Sequence, residues 1–152
     1  MLYQIKKLET SDISLAQQLF ILFKRVFDQV DINVLDLPDK KYLQDLLVKN
    51  SFCVFVAVAD GEVVGGLTAY EFDMYMEKAK EAYLYDLAVH ENYRRQGIAR
   101  SLIIKLQEYA KENNIATIFV EAHAEDIDAI DFYKSINAEM EQVCHFNMVI
   151  HQ

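Results

Sequence analysis

Residues Tyr83 to Ala99 read YLYDLAVHENYRRQGIA, and this stretch decides the fold. Its first part lies in an apolar run, Ala82 to Val89, bounded by a polar turn, which predicts a strand buried on both faces. The turn is Arg94-Arg95-Gln96-Gly97-Ile98-Ala99. A helical pattern starts at once behind it, with Ile98, Leu102, Ile103, Leu106, Tyr109 and Ala110 on one face. A strand feeding a helix through a basic, glycine-bearing turn makes an anion site. The opening N–H groups of the helix have no internal partner, and the dipole adds partial positive charge there. Gly97 has no Cβ, so a phosphate can come close to its amide. Arg94 and Arg95 add bidentate donors from the rim.

The rest of the chain bounds what such a site can serve. At 152 residues it predicts a single domain, 1–152, large enough to bury a real core. Hydrophobic residues make up 53% and charged residues 26%, the balance of a soluble globular chain. No apolar run approaches the ~20 residues of a membrane span. The opening MLYQIKKLET lacks the apolar stretch of a signal peptide, so a cytoplasmic protein is expected. Cys53 and Cys144 both sit in strand-like stretches and read as buried free thiols of a reducing compartment. His90, His145 and His151 show no ligand spacing, and no metal is assigned. A net charge of −9 speaks against a nucleic-acid partner and fits a small cationic substrate. An acidic balance that only keeps the protein soluble would give the same number.

Taken in order, Tyr3 to Leu8 alternates and predicts a first strand. Thr10 or Ser11 caps a helix with Asp12 in its first turn, running on Ile13, Ala16, Leu19, Phe20, Phe23 and Phe27. A loop from Asp28 to Asp39 holds Asp28, Asp31, Asp36, Asp39 and the only proline, Pro38. Tyr42, Leu43, Leu46 and Leu47 form the stripe of a second helix. Phe52–Ala59 and Val63–Phe72 flank Asp60-Gly61 as a hairpin, and Gly65-Gly66 in its second arm marks a bulge or a close backbone approach. Behind the long helix, Ile115–Ala122 predicts a buried strand, Glu125–Ile136 a short helix and Met140–Ile150 terminal strand material.

With these elements around it, Arg94-x-x-Gly97-x-Ala99 after a hydrophobic-Ala-Val ending at Val89 resembles the pyrophosphate loop of the GNAT superfamily of acyl-CoA-dependent N-acetyltransferases. That family's loop reads Arg/Gln-x-x-Gly-x-Gly/Ala. The resemblance implies an α/β (α+β) GNAT fold: a mixed, mostly antiparallel sheet with a splayed parallel strand pair and helices on both faces. It implies acetyl-CoA held by Arg94, Arg95, Gln96, Gly97, Ile98 and Ala99, its arm lying beside Leu87, Ala88 and Val89. Asp126-x-x-Ala129-x-x-x-Tyr133 is similar to the family's Asn-x-x-Ala-x-x-x-Tyr, which makes Tyr133 the proton donor to the departing thiolate. Where the family commonly has Gly after this helix the chain has Asn137, the next most tolerant residue for a left-handed cap.

Acetyl transfer to an amine also needs a base, because an ammonium must lose a proton before it attacks. Asp86 interrupts an apolar strand, and a buried carboxylate needs a partner or a purpose. Strict alternation puts Glu81, Tyr83 and Tyr85 on one face and Asp86 on the other, unless a bulge re-aims it. Glu121, His123, Glu125 and Asp126 cluster further on as acids suited to a cationic acceptor, or as a solvated helix start. Nearly the whole chain is similar to the gentamicin-modifying aminoglycoside 3-N-acetyltransferases. Tyr85-Asp86-Leu87-Ala88-Val89 and His145-Phe146 are its more particular features. That likeness implies acetylation of a deoxystreptamine amine, hence antibiotic resistance, with Glu81, Tyr85, Asp86, Glu121, Glu125 and Asp126 toward the substrate. Asn147 stands where an acidic residue is expected. Another amine acceptor, or a non-catalytic acyl-CoA-binding module, are the competing readings. A homodimer through apolar terminal strands such as Phe146–Ile150 is compatible with all of them.

Overall fold

The computed structural model describes residues 2–30 and 36–151, so Asp31 of the acidic loop lies outside the described residues. It divides into two compact units, Met1–Glu121 and Ala122–Gln152.

The first unit is built on a five-stranded sheet in sequential order, β1 (Gln4–Lys7), β2 (Phe52–Ala59), β3 (Glu62–Asp73), β4 (Lys80–Val89) and β5 (Ile115–Phe119). All neighbours are antiparallel except β4 and β5, which run parallel. Parallel neighbours need a crossover, and α3 (Ile98–Glu112) supplies it. The β2–β3 hairpin closes on Asp60-Gly61, both at positive φ (51° and 84°), the geometry that favours this dipeptide in a two-residue turn.

Helices cover the two faces of the sheet unequally. On one face α1 (Ile13–Phe23) and α2 (Lys40–Leu47) pack on β2 and the start of β3. Leu19, Leu22, Phe52, Val54, Val56 and Val63 form that core, joined by Leu43, Leu46, Leu47 and Tyr70. Tyr42 does not join the stripe expected of α2; it stands 58% exposed. Gly66 explains the close approach read from its sequence: a Cβ there would lie 2.5 Å from Leu19 Cδ1. The neighbouring bulge falls where Ala57 pairs with Gly65 but Val58 pairs with Val63.

The other face carries α3. Its Tyr109 ring packs edge-on to Phe55 at 5.9 Å, and its hydroxyl donates to the buried Glu71 carboxylate at 2.6 Å. Lys80 Nζ donates to the other Glu71 oxygen at 3.0 Å. A carboxylate this buried would be costly without such donors. Burial, then the hydrogen bond to Glu71 and that carboxylate's charge, raises the Tyr109 pKa. Cys53 lies on this face too, and burial pushes its thiol up to about 12. It is buried and free, as expected.

Several expectations fail for physical reasons. Asp12 is the N-cap residue of α1, and its carboxylate accepts from the Glu9 amide and from Lys6, so neither Thr10 nor Ser11 caps the helix. β5 is shorter than Ile115–Ala122 and only Ile115 is buried, because it is the outer strand and pairs on one side. β4 is not buried on both faces: Tyr85 is 61% exposed.

The second unit holds α4 (Ile127–Ser135). Asp126 is its N-cap and accepts from the Ala129 amide at 3.0 Å, a role Asp and Asn fill equally well. Asn137 ends the helix at φ 62°, the left-handed cap expected of it, with the Ala138 amide donating to Tyr133 O at 3.1 Å. Residues 140–150 form no strand: their alternation fits one, but no described strand pairs with them. Phe146, Met148 and Ile150 are accordingly exposed, and so is Cys144, against the expectation of a buried thiol.

Candidate active site

A single extra residue in β4 organises the site. Thr68 of β3 pairs with Asp86, but the next residue, Ala69, pairs with Leu84, so Tyr85 has no partner of its own. Inserting one residue resets the alternation of the strand. Thr68 and Tyr70, two apart on β3, share a face. Thr68 Oγ1 donates to Asp86 Oδ2 at 2.5 Å, and the Tyr70 ring meets Tyr85 edge-on at 5.6 Å. Tyr85 and Asp86 therefore project to the same side, where regular alternation would part them. Tyr83 joins them, its ring 5.4 Å from that of Tyr85.

Glu121 belongs to the same surface, because its carboxylate accepts from the Tyr83 hydroxyl at 3.2 Å. Glu81 sits two residues before Tyr83 on β4 and is half-buried. The face thus gathers Glu81, Tyr83, Tyr85, Asp86 and Glu121. Asp86 is half-buried, and that burial raises its carboxyl above the usual range, the Thr68 hydrogen bond opposing the shift. Thr68 and Tyr70 escaped the sequence reading; the one available signal was their alternation on the arm opposite β4.

Just beyond this cluster the parallel strands part. β4 pairs with β5 only from Lys80 to Tyr83. Leu84 to Val89 therefore has no strand partner on that side among the described strands.

β4 leads through a 3₁₀ turn, Glu91–Tyr93, into the basic loop. Arg94 Nε donates to Val89 O at 3.2 Å, tying the loop to the end of the strand. Gln96 Nε2 likewise donates to Asn92 O at 3.3 Å. Arg95 has φ 61° and Gly97 φ 82°, so the chain turns sharply just before α3. Gly97 is the N-cap residue with no side-chain cap, while Ile98 plugs the core behind it. A Cβ built on Gly97 would meet only Tyr3 Oη, 4.0 Å away. Gly97 thus leaves the start of the 15-residue α3 uncrowded at that position, with Arg94 to Gln96 exposed around it, a setting whose unpaired amides and dipole suit an anion.

The sequence also singles out residues in the second unit. The Asp126 carboxylate is engaged as the α4 cap, and Glu125 is exposed just before it. Tyr133 is half-buried on α4, and burial, then the Asp126 charge, pushes its phenol up to about 12. It stays protonated at neutral pH.

The family model for the acetyltransferase (GNAT) family matches residues 17–137. The chain belongs to the GNAT acetyltransferase family, and its five-stranded mixed sheet is consistent with that family's fold. Among solved structures, an aminoglycoside acetyltransferase from an uncultured soil metagenomic sample, in complex with sisomicin, is 37% identical with a TM-score of 0.90. That likeness covers 98% of this chain and 97% of the other. A second aminoglycoside acetyltransferase from soil metagenomic material is 33% identical with a TM-score of 0.92, covering 99% of this chain and all of the other. Human N-acetyltransferase 8 is 28% identical over 128 residues, or 82% of this chain and 55% of the human protein. The chain thus spans about half the length of that curated relative. Among the described residues no helix is long and apolar enough to cross a membrane.

Proposed function

We propose that the chain is an acetyl-CoA-dependent N-acetyltransferase of aminoglycosides, acting on the 3-amino group by direct transfer in a ternary complex, with 1–152 working as one domain. The observation that carries this reading is the Asp86 carboxylate, turned by the β4 bulge onto an acidic, aromatic face beside an unpaired strand edge. The two aminoglycoside acetyltransferases that match almost the whole chain support the choice of acceptor.

Acetyl-CoA, when bound, supplies the activated acetyl thioester. The α3 amides from Gly97 onward, with Arg94 and Arg95, bind its diphosphate, and Leu87 to Val89 orient its arm along the edge of β4 that β5 leaves unpaired. Asp86 takes the proton from the acceptor ammonium, directly or through a water, and its raised pKa makes it a better base than an ordinary aspartate. Glu81, Tyr85 and Glu121 hold the rest of a polycation, drawn in by the net charge of −9. Positioning of the two substrates contributes much of the acceleration.

Tyr133 hands its phenolic proton to the departing thiolate, the role implied by the Asp126-x-x-Ala129-x-x-x-Tyr133 motif. Tyr133→Phe keeps the ring and removes that proton. Turnover should fall about tenfold to a hundredfold, with both Michaelis constants within about threefold of wild type. Steady-state kinetics at full speed would remove Tyr133 from the mechanism.

The reading as a whole is tested by thiol release from acetyl-CoA over an amine panel. Gentamicin and sisomicin should be the preferred acceptors, acetylated at the 3-amino group by mass spectrometry and NMR. Faster turnover of spermidine or of peptides would keep the acetyltransferase and replace its substrate. Tight coenzyme A binding with no thiol release on any amine would leave only an acyl-CoA-binding module.

A further inference from the structure

The edge strand β1 is fastened to α3 near both ends of the helix. Tyr3, the residue before β1, shares a hydrogen bond with Ser101, their oxygens 2.8 Å apart. Ser101 lies on the first turn of α3, where its amide donates to Gly97 O at 2.9 Å. Lys7, the last residue of β1, sets its ammonium over the Tyr109 ring, 5.6 Å from the centroid. From Tyr3 to Lys7 the strand advances about 13 Å, and from Ser101 to Tyr109 the helix advances about 12 Å. Strand and helix therefore keep step, and the Tyr3 hydroxyl falls at the end of α3 where the basic loop arrives.

That hydroxyl borders the open side of Gly97, because the Cβ that glycine lacks would lie 4.0 Å from Tyr3 Oη. Tyr3 reaches this point from the far edge of the sheet, whereas Arg94, Arg95 and the opening amides all belong to the loop and helix themselves. The pair also has a proton to spare. Each hydroxyl carries one proton and can accept further bonds. Their shared bond uses one proton, and among the described residues neither hydroxyl makes another hydrogen bond. With Ser101 as the donor, Tyr3 keeps its own proton to give on the Gly97 side.

We infer that Tyr3 is a further binding residue for acetyl-CoA, its hydroxyl, oriented by Ser101, donating to the diphosphate beside Gly97. This inference rests on the acetyl-CoA site proposed above and adds a donor from outside the loop. A diphosphate presents more acceptor oxygens than the unpaired amides of one helix end can fill, so a donor at the rim has work to do. A tether that only packs β1 on α3 would need the Tyr3–Ser101 bond and nothing more. The two hydroxyls are therefore unequal. Losing either one breaks the bond, but only the loss of the Tyr3 hydroxyl removes the donor beside Gly97.

The test compares wild type with Tyr3→Phe and Ser101→Ala. Dissociation constants for coenzyme A and for dephospho-coenzyme A, which keeps the diphosphate and lacks the 3′-phosphate, are measured by calorimetry. Acetylation kinetics are run with acetyl-CoA and with S-acetylpantetheine, which has no diphosphate. Tyr3→Phe should weaken both coenzymes roughly tenfold, the lower end of what a hydrogen bond to a charged group contributes. Its turnover at saturating acetyl-CoA, and its kcat/KM with S-acetylpantetheine, should stay within about twofold of wild type. Ser101→Ala should weaken the coenzymes by less than about threefold, although it breaks the same bond. Equal losses in the two variants, or a loss with S-acetylpantetheine as large as with acetyl-CoA, would make Tyr3 a structural tether and overturn the inference. Dephospho-coenzyme A binding that ignores Tyr3→Phe overturns it too, since the hydroxyl would then serve the 3′-phosphate. Coenzyme binding that depends on the Tyr3 hydroxyl, with no turnover of any amine, removes the acetylation reading and leaves the role of Tyr3. Turnover with binding independent of that hydroxyl does the reverse, and wild type that binds no coenzyme A loses both.

Discussion

Asp86→Asn should lower turnover by roughly two to four orders of magnitude, the usual contribution of a positioned base. The Michaelis constant for acetyl-CoA should stay near wild type, because the loop at Arg94 to Gly97 is untouched. The same substitution separates a base from a structural carboxylate. Burial holds the native Asp86 pKa above that of the unfolded chain. In the window between those two values the native state binds more protons, so stability falls as the pH rises through it. Above the folded value the full cost of ionising Asp86 in place is present. Asparagine removes that cost and can still accept the Thr68 hydrogen bond. The melting temperature at neutral pH should therefore stay level or rise, whereas a structural carboxylate would give a clear drop. The pH profile carries the same sign. Asp86 must be ionised to act, so the acid limb of kcat/KM should lie above the ordinary aspartate range. Thr68→Val, which removes the bond favouring the ionised form, should move that limb to higher pH. An acid limb that ignores both substitutions would exclude Asp86 as the base.

What the sequence revealed and concealed follows the range of each interaction. Asp60-Gly61 was legible because a two-residue turn is decided by its own backbone preferences. The loop at Arg94 to Ala99 was legible for a related reason: strand, turn and helix are contiguous, so spacing along the chain reports the geometry. The side to which Asp86 points was not legible. It depends on the register of β4 against Thr68 and Ala69, residues on another strand, and periodicity cannot count an extra residue it has no partner to measure against. Glu71 was hidden in the same way. A glutamate in a hairpin arm looks solvent-facing until Tyr109 and Lys80 arrive from elsewhere in the chain to satisfy it. Residues 140–150 show the opposite error, since an alternating pattern describes what a segment could pair as and supplies no partner.

Gly97→Trp should raise the Michaelis constant for acetyl-CoA by roughly a hundredfold, while turnover at saturation falls far less. Charge-assisted hydrogen bonds contribute about 1.5–3 kcal/mol each, and an indole over the opening α3 amides blocks at least one of them and crowds the rest. Backbone strain alone does not explain such a loss, and Gly97→Ala shows why. Both substitutions force a side chain onto φ 82°, at about 1–2 kcal/mol, so both should lower the melting temperature similarly. The alanine Cβ itself meets nothing closer than Tyr3 Oη at 4.0 Å, so it strains the turn without filling the space above it. Alanine should raise the Michaelis constant only a few fold, and the gap between the two variants measures occlusion of the amides. Arg94→Glu is expected to raise the constant as well, by setting a negative charge beside the diphosphate and releasing the loop from Val89 O. Equal constants for alanine and tryptophan would mean that the cofactor does not sit on the α3 amides, and the site would have to be sought elsewhere on the sheet.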